Sequence, residues 1–313
     1  MSIAKRLWTI AMLCSPVHLQ NATSTSGILQ GSSSDHISGS NDDWRKNIVF
    51  VVIGGSMKGR YACSVESAAR HNPSMNVMIV YLKEVSDRPQ FPFQNVRSVE
   101  VDGRELLKDT PLEGLMDMGE NYIGVFPANV SDFVRFAYVY KHGGLYMDLD
   151  IITLRSFNDL EENFVAFQMH ASVNPAHFRF SPRHPFLYDT MKQVRKCGVK
   201  DGWSSTGPSP ITTTYGRWCR DFLWKPYFGE VRCRGLLAYP QQVFSPYPPS
   251  SPWSTWKCPI PSKFSKVIAN SHALHYWNFL SHYWKLDLSS NMPIAVLARR
   301  HCKWTIDAFK DNF

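Results

Sequence analysis

The chain has 313 residues, 44% hydrophobic and 19% charged, a balance that excludes a disordered protein and leaves room for one large α/β domain or two tightly joined lobes. The formal net charge of +8 is dispersed, with no long Lys/Arg run, no zinc-finger spacing and no RNA-binding signature, so nucleic acid is set aside as a partner. What remains open is solubility, an anionic membrane surface, or an anionic substrate such as a nucleotide diphosphate.

At the N-terminus, Lys5 and Arg6 precede an apolar run over 7–14, shorter than the ~20 residues that span a bilayer. Residues 1–20 therefore read as a secretory signal or a truncated anchor, through which membrane association would occur. Residues 21–46 are rich in Ser, Thr, Gly and Asn and read as a flexible stem, with a glycosylation sequon at Asn21. A second sequon at Asn129 abuts a predicted helix and is expected to stay unmodified.

The unbroken apolar run 48–53 predicts a strand buried on both faces, and Gly54-Gly55 after it would let backbone approach a nucleotide. A helix over 63–71, strands over 77–82 and 96–101 and a short helix over 102–107 follow. Strand, helix, strand in succession predicts a mostly parallel sheet with helices on both faces.

The centre of the chain is residues 131–154. Apolar spacing predicts a helix over 131–140, N-capped by Ser131 or Asp132, with Lys141 and His142 in its last turn and Gly143 as C-cap. Gly144 then turns the chain into a strand over 145–147 that delivers Asp148-Leu149-Asp150. In extended chain, residues i and i+2 share a side, roughly 6.5–7 Å apart at Cα. Two carboxylates so placed repel unless a cation lies between them, and a hard divalent ion is the natural partner. An isolated Asp-x-Asp is usually a solvated turn; here a capped helix, a Gly-Gly turn and a strand position it.

Downstream, the pattern predicts strands over 164–167 and 178–180, a helix over 186–197 and another starting at Pro208 or Ser209. The Pro- and Trp-rich stretch 243–256 reads as a loop over the site. The segment 271–278, SHALHYWN, is a second chemical cluster, whose His272 and His275 fall on opposite strand faces. Of seven cysteines, Cys197, Cys219, Cys233, Cys258 and Cys302 lie in the C-terminal half with no CxxC spacing, which predicts an oxidising compartment. Cys219 and Cys233 bracket a short segment and are the expected disulfide pair.

The run SDxxR followed by GGxYxDxD resembles the sugar-nucleotide-binding region of glycosyltransferase family 32, and in particular its animal α-1,4-glycosyltransferases. CSVESAARHNP at 63–73, DGW at 201–203, Gly207-Pro208, Trp218-Cys219, CRG at 233–235 and ALHYWN at 273–278 fall in the family's order, so the likeness covers 48–302. It implies a GT-A-type, Rossmann-like α/β fold, with a nucleotide-sugar-binding half over 47–165 and an acceptor-side lobe over 166–313. It implies a metal-dependent retaining transferase taking a UDP-sugar donor and a glycolipid or glycan acceptor to an α-1,4 linkage, in the Golgi lumen or at its membrane. Asp148, Asp150 and His275 would hold Mn²⁺ or Mg²⁺, the two carboxylates being the catalytic pair. Asp132, Arg135, Gly143, Gly144, Tyr146 and Asn174 would contact the donor, and Gly207, Pro208, Trp277 and Asn278 the acceptor or its loop. Where the family often has a His-Gln pair before Gly-Pro, this chain has Ser205-Thr206. The competing expectation is an inactive lumenal homologue that binds glycans or acts as a scaffold.

Overall fold

Strand β1 (Asn47–Val52) is buried because its alternate residues serve two cores. Ile48, Phe50 and Val52 meet helix α1 (Gly59–His71) through Ala62, Val65, Ala68 and Ala69. Val49 and Val51 face the opposite core, with Phe133, Val134, Phe136 and Ala137. The computed structural model describes residues 43–83, 85, 87–117, 127–169, 171–197, 204–220, 229–256 and 262–309. The expected signal and most of the stem, the motif at 201–203, Cys14 and Cys258 lie outside these residues.

Strands β2 (Asn76–Leu82) and β3 (Val96–Val101) add in parallel to one side of β1. Asp102 caps the short helix α2 (Gly103–Leu107) by accepting from the N–H groups of Arg104 and Glu105 at 2.9 and 3.2 Å. Helix α3 (Pro127–His142) leads into β4 (Gly144–Met147), which lies parallel to β1 on its other side. The carboxyl ends of β1 and β4 therefore open at the same edge of the sheet, where open α/β sheets place ligands.

Beyond β4 the sheet turns mixed. After the short strand β5 (Ile151–Thr153) come β6 (Phe164–Met169) and β7 (Ser172–Phe180); β7 pairs antiparallel with both β4 and β6. Helices α4 (Pro185–Cys197) and α5 (Pro208–Trp218) cover this half, and β8 (Val231–Cys233) and β9 (Leu236–Tyr239) complete the edge. The order is β3-β2-β1-β4-β7-β6-β9-β8, so one eight-stranded sheet runs through both sequence halves. Four elements follow: α6 (Phe264–Ile268), β10 (Ala273–His275), α7 (Asn278–Ser281) and α8 (Pro293–His301), with α9 (Lys303–Ala308) last.

Two expectations about the central stretch are corrected. Helix α3 starts about a turn early, at Pro127, a first-turn place where a missing N–H costs nothing. Ser131 and Asp132 are therefore interior residues, and the Asp132 side chain is buried against Arg135 and Thr206 instead of capping. Asn129 is inside the helix too and 1% exposed, which leaves no room for a glycan at that sequon. The second correction is that β4 stops at Met147. Leu149 and Asp150 form a turn, and β5 belongs to a separate two-stranded sheet with β10. The two carboxylates converge through a turn, not through strand alternation.

Gly143, at φ 73°, ends α3 by donating its N–H to the Val139 carbonyl at 2.8 Å. Gly144, at φ 116°, lets β4 pass close to β1: a Cβ there would sit 3.0 Å from the Asn47 carbonyl oxygen.

The C-terminus returns to α1 and is fastened there. Cys63 is bonded to Cys302 across 239 residues of sequence, a pair not anticipated, and the expected Cys219–Cys233 bridge spans 14. Fully buried Glu66 accepts from the N–H groups of Trp304 and Thr305 at 3.0 and 2.7 Å and from the Thr305 hydroxyl at 2.7 Å, capping α9 from α1. His71 and His301 close the same seam, ring nitrogen to ring nitrogen at 2.8 Å.

Burial, then the neighbouring His71 and Arg300, push the pKa of His301 down to about 4, and burial lowers that of His71. The unfolded chain thus binds protons near pH 6.5 that the folded chain refuses. Stability is expected to fall as pH drops from about 6.5 towards 4, and to lose this contribution fully below the folded value. Urea melts across that window should show a shallower dependence in His301→Asn than in wild type; equal slopes would contradict the assignment.

Candidate active site

Three side chains from distant parts of the chain meet at the carboxyl end of β4. The ligand atoms of Asp148, Asp150 and His275 lie within 4.8 Å of one another. Asp148 follows the last residue of β4, and its N–H still bonds to the Ala176 carbonyl of β7 at 2.9 Å. Asp150 sits in the next turn, and His275 ends β10, paired opposite Ile151. The small β5–β10 sheet is thus what brings residue 275 to residue 150.

Each carboxylate has its own counterweight. Burial raises the Asp148 pKa, Arg135 opposes the rise and nearby Asp150 adds to it, leaving the group above the usual carboxylate range. Its oxygens take a hydrogen bond from the Tyr146 hydroxyl at 2.5 Å and an ion pair from Arg135 at 3.1 Å. Burial also penalises the charge on Asp150, but His275 and the Asn278 N–H outweigh it and the pKa falls below the ordinary value. His275 Nε2 lies 3.0 Å from Asp150 Oδ1, and the Asn278 N–H donates to Oδ2 at 2.8 Å.

Arg135 is 6% exposed and anchored by donation to the Pro175 carbonyl at 3.0 Å and the Ser131 hydroxyl at 2.9 Å, with its guanidinium 4.7 Å over the Tyr146 ring. Burial works against its charge, but Asp148, Tyr146 and Asp132 prevail and hold its pKa above the ordinary value. Asp132 Oδ1 is 3.4 Å from Arg135 Nε, and Thr206 donates to Oδ2 at 2.7 Å. Burial, only partly countered by Arg135 and Thr206, pushes the Asp132 pKa up to about 6. The Ser205-Thr206 departure thus supplies a hydroxyl that holds this aspartate. Gly207 is needed beside it: a Cβ there would lie 2.7 Å from both Asp132 carboxylate oxygens.

Asn174 supports His275 from behind. Its Oδ1 accepts the Ala176 N–H at 3.0 Å, which turns its amide nitrogen towards His275 Nδ1 at 3.3 Å and the Ser245 hydroxyl at 3.4 Å. Trp277, in the left-handed region at φ 55°, stacks on His275 with ring centroids 3.8 Å apart and donates its indole N–H to the Tyr247 carbonyl at 2.8 Å. The 243–256 stretch therefore buttresses the histidine: Phe244 stacks on His177 beneath it at 4.6 Å.

The remaining expected residues are placed as follows. Pro208 opens α5 directly after Gly207. Gly143 and Gly144 are at the opposite end of β4 from the carboxylates, against Trp44, Asn47 and Pro182, so their part is steric and they do not reach the site. Gly54 and Gly55 follow the carboxyl end of β1, and no atom lies within 4 Å of where their Cβ atoms would be. His272 is apart from the cluster, with its Nδ1 on the Ser156 carbonyl at 2.8 Å.

Four residues were missed. Ser64 bonds to the Leu149 carbonyl at 2.7 Å and receives the Ile151 N–H at 3.2 Å, and Ser67 receives the Thr153 N–H at 3.1 Å, so α1 pins the Asp-x-Asp turn. Tyr276 donates to the Leu149 and Arg60 carbonyls at 3.2 and 3.1 Å. The Tyr61 hydroxyl accepts the Asn278 amide at 2.9 Å, and burial together with Asp150 raises its pKa. Their signal was two small polar residues on the inward face of an otherwise apolar helix.

Carboxylate, carboxylate and imidazole offering one atom each, with Asp148 a quarter and Asp150 15% exposed, fit an oxygen- and nitrogen-ligated divalent ion with positions left for a substrate. A profile described as "Glycosyltransferase sugar-binding region containing DXD motif" matches residues 59–165, and one described as "Alpha 1,4-glycosyltransferase conserved region" matches 179–309. Human alpha-1,4-N-acetylglucosaminyltransferase is 30% identical over 285 residues, 83% of this chain and 80% of the relative. Human lactosylceramide 4-alpha-galactosyltransferase is 29% identical over 268 residues, 80% of this chain and 73% of the relative. Among solved structures, the PaToxG glycosyltransferase matches with TM-score 0.47 at 20% identity over 55% of this chain and 68% of its own. The galactosyltransferase LgtC matches with TM-score 0.42 at 12% identity over 83% and 95%.

Gly207→Ala is expected to push Asp132 off Thr206 and Arg135 at a cost of about 1–3 kcal/mol, the usual scale of overpacking. Thr206→Val removes only the hydrogen bond and should cost about 1.5–3 kcal/mol, as for bonds to charged groups. Urea unfolding of both variants checks this; wild-type stability in Gly207→Ala would mean that Asp132 is not held there.

Proposed function

Because this chain belongs to the animal α-1,4-glycosyltransferase family, we propose that it moves a hexose or N-acetylhexosamine from a UDP-sugar to a glycolipid or glycan acceptor, retaining the anomeric configuration and forming an α-1,4 linkage. The observation that carries the reading is the convergence of Asp148, Asp150 and His275 within 4.8 Å at the carboxyl edge of the sheet. Intact, braced carboxylates count against an inactive scaffold.

In the reaction, the bond between the anomeric carbon and the diphosphate breaks as one to the acceptor oxygen forms, and negative charge grows on the departing phosphate. A divalent ion, Mn²⁺ or Mg²⁺, held by Asp148, Asp150 and His275 would supply Lewis-acid stabilisation of that charge. The chain's own part is to keep those three groups in register at no reorganisation cost. Tyr146 and Arg135 fix the Asp148 carboxylate, and the Asn278 N–H and Tyr61 fix the loop around Asp150. Asn174 and Trp277 hold the His275 ring. Arg135, with Asp132 behind it, orients the donor sugar, and the exposed Gly54-Gly55 backbone at the end of β1 admits the nucleoside. Two disulfides support folding in an oxidising lumen, as in the secretory pathway and the Golgi.

The test is UDP release from a panel of UDP-sugars, with and without acceptor, titrated with Mn²⁺. Asp150→Asn and His275→Ala are each expected to lower turnover at least about 100-fold, the scale of roughly 2.7 kcal/mol of lost transition-state stabilisation. Asp132→Asn should weaken donor binding more than metal binding. Full wild-type turnover in EDTA, or an unchanged Mn²⁺ dependence in Asp150→Asn, would overturn the reading.

A further inference from the structure

Large apolar side chains gather one residue beyond the carboxylate–imidazole centre. Asn278 opens α7 with its N–H on Asp150, and the residues after it turn outward: Phe279 is 60%, Leu280 37% and Tyr283 84% exposed. Trp253, 45% exposed, joins them from a 3₁₀ turn, Pro252–Thr255, that packs against α7. Contiguous apolar surface of this kind marks a contact site.

The exposure is imposed by packing from beneath and is not the fraying of a loop. Ser281 is fully buried, its hydroxyl on the Tyr276 and Trp277 carbonyls at 3.1 and 3.0 Å. Arg60 of α1 lies 4.6 Å over the Trp256 ring and donates to the carbonyls of Ser281 and Trp284. Trp284 in turn meets Trp256 edge-on at 5.8 Å. The inward half of this segment is fastened to the helix that pins the Asp-x-Asp turn, so its outward half is presented at a fixed place beside the site.

The surroundings are cationic. Lys285 and His282 are exposed in the same segment, Lys263 and Lys266 on and just before α6, and none of the four has a carboxylate partner among the described residues. The one nearby acid in the segment, Asp287, is turned onto the N–H and hydroxyl of Ser289 at 2.9 and 2.6 Å. A saccharide platform needs aromatic faces and has no use for an exposed leucine. Aromatic, aliphatic and lysine side chains together compose a surface that enters a lipid headgroup layer, the rings at the boundary and the ammonium groups on lipid phosphate.

We propose that Trp253, Phe279, Leu280 and Tyr283, rimmed by Lys285, seat this protein on an anionic phospholipid surface, so that the transfer site opens at the membrane plane. Its consequence, preference for a lipid-anchored acceptor, rests on the transferase reading; the membrane contact itself does not. The experiment is co-sedimentation of the full chain with phosphatidylserine/phosphatidylcholine vesicles. Wild type is compared with Phe279→Ser/Tyr283→Ser, with Tyr283→Ser alone and with Lys285→Gln. All variants retain the N-terminal segment, so differences report the patch. The double variant is expected to lose at least about tenfold in vesicle partition, the weight of two interfacial aromatic side chains. Tyr283→Ser, at so exposed a position, should keep the fold and lose part of the binding. Lys285→Gln should weaken binding to phosphatidylserine vesicles only, and salt should do the same. UDP-sugar turnover with a soluble acceptor should be unchanged while transfer to a vesicle-embedded acceptor falls. Equal partition of wild type and double variant, or no binding by wild type, overturns the proposal. So does loss of soluble-acceptor turnover with vesicle binding intact, which would give the patch to the sugar. A wild type without transferase activity that still binds vesicles through these residues would sink the transferase reading and leave the membrane contact standing.

Discussion

Two partly buried carboxylates two residues apart repel, and much of this structure is arranged to hold that repulsion. Asp148 is kept in place by Arg135 and the Tyr146 hydroxyl, Asp150 by His275 and the Asn278 N–H. The two ends of the problem are solved by different parts of the chain: α3 and β4 supply the partners of Asp148, and the segment after β10 supplies those of Asp150. Burial alone would push both groups up; the partners split them, one above and one below the usual carboxylate range. A site that separates two like charges so asymmetrically is prepared for a cation between them.

That arrangement depends on α1 more than on the strands it flanks. One face of α1 packs on β1 and β2 in the ordinary way. Its small polar residues, Ser64 and Ser67, take the backbone of the Asp-x-Asp turn and of β5, and Glu66 and Cys63 fasten the C-terminal helices. The long Cys63–Cys302 loop is the kind whose closure removes most conformational entropy from the unfolded chain. The last turn of the protein is thereby coupled to the turn that carries the carboxylates, and the exposed aromatic segment between them is pinned by Arg60 of the same helix.

Strand and helix periodicity were legible where the chain is apolar: the runs that became β1, β2, α1 and α4 follow from burial on one or both faces. The start of α3 was misplaced because Ser131 and Asp132 have the chemistry of a cap, while their side chains are spent on Arg135 and Thr206 in the folded protein. The strand was extended through the Asp-x-Asp because 151–154 is β-prone, and local propensity cannot tell one sheet from two. Gly143 and Gly144 were assigned to the donor by motif, whereas their φ values of 73° and 116° show what they provide, a helix stop and a close strand approach.

The sequence by itself determined which residue types carry the chemistry, since an Asp-x-Asp after a Gly-Gly turn and a histidine in a late β-prone segment are visible in any conformation. It also determined the oxidising compartment and the Cys219–Cys233 pair, because these follow from composition and short spacing. Only the tertiary structure decided that His275 faces Asp150 across the β5–β10 pair and that Glu66 caps a helix 237 to 239 residues away. It likewise decided that Gly207 is glycine because a carboxylate occupies the place of its side chain. The physical reason is that these are contacts between segments far apart in the chain. Their geometry is set by how two cores and two sheets pack, and no local rule of propensity, capping or spacing encodes it.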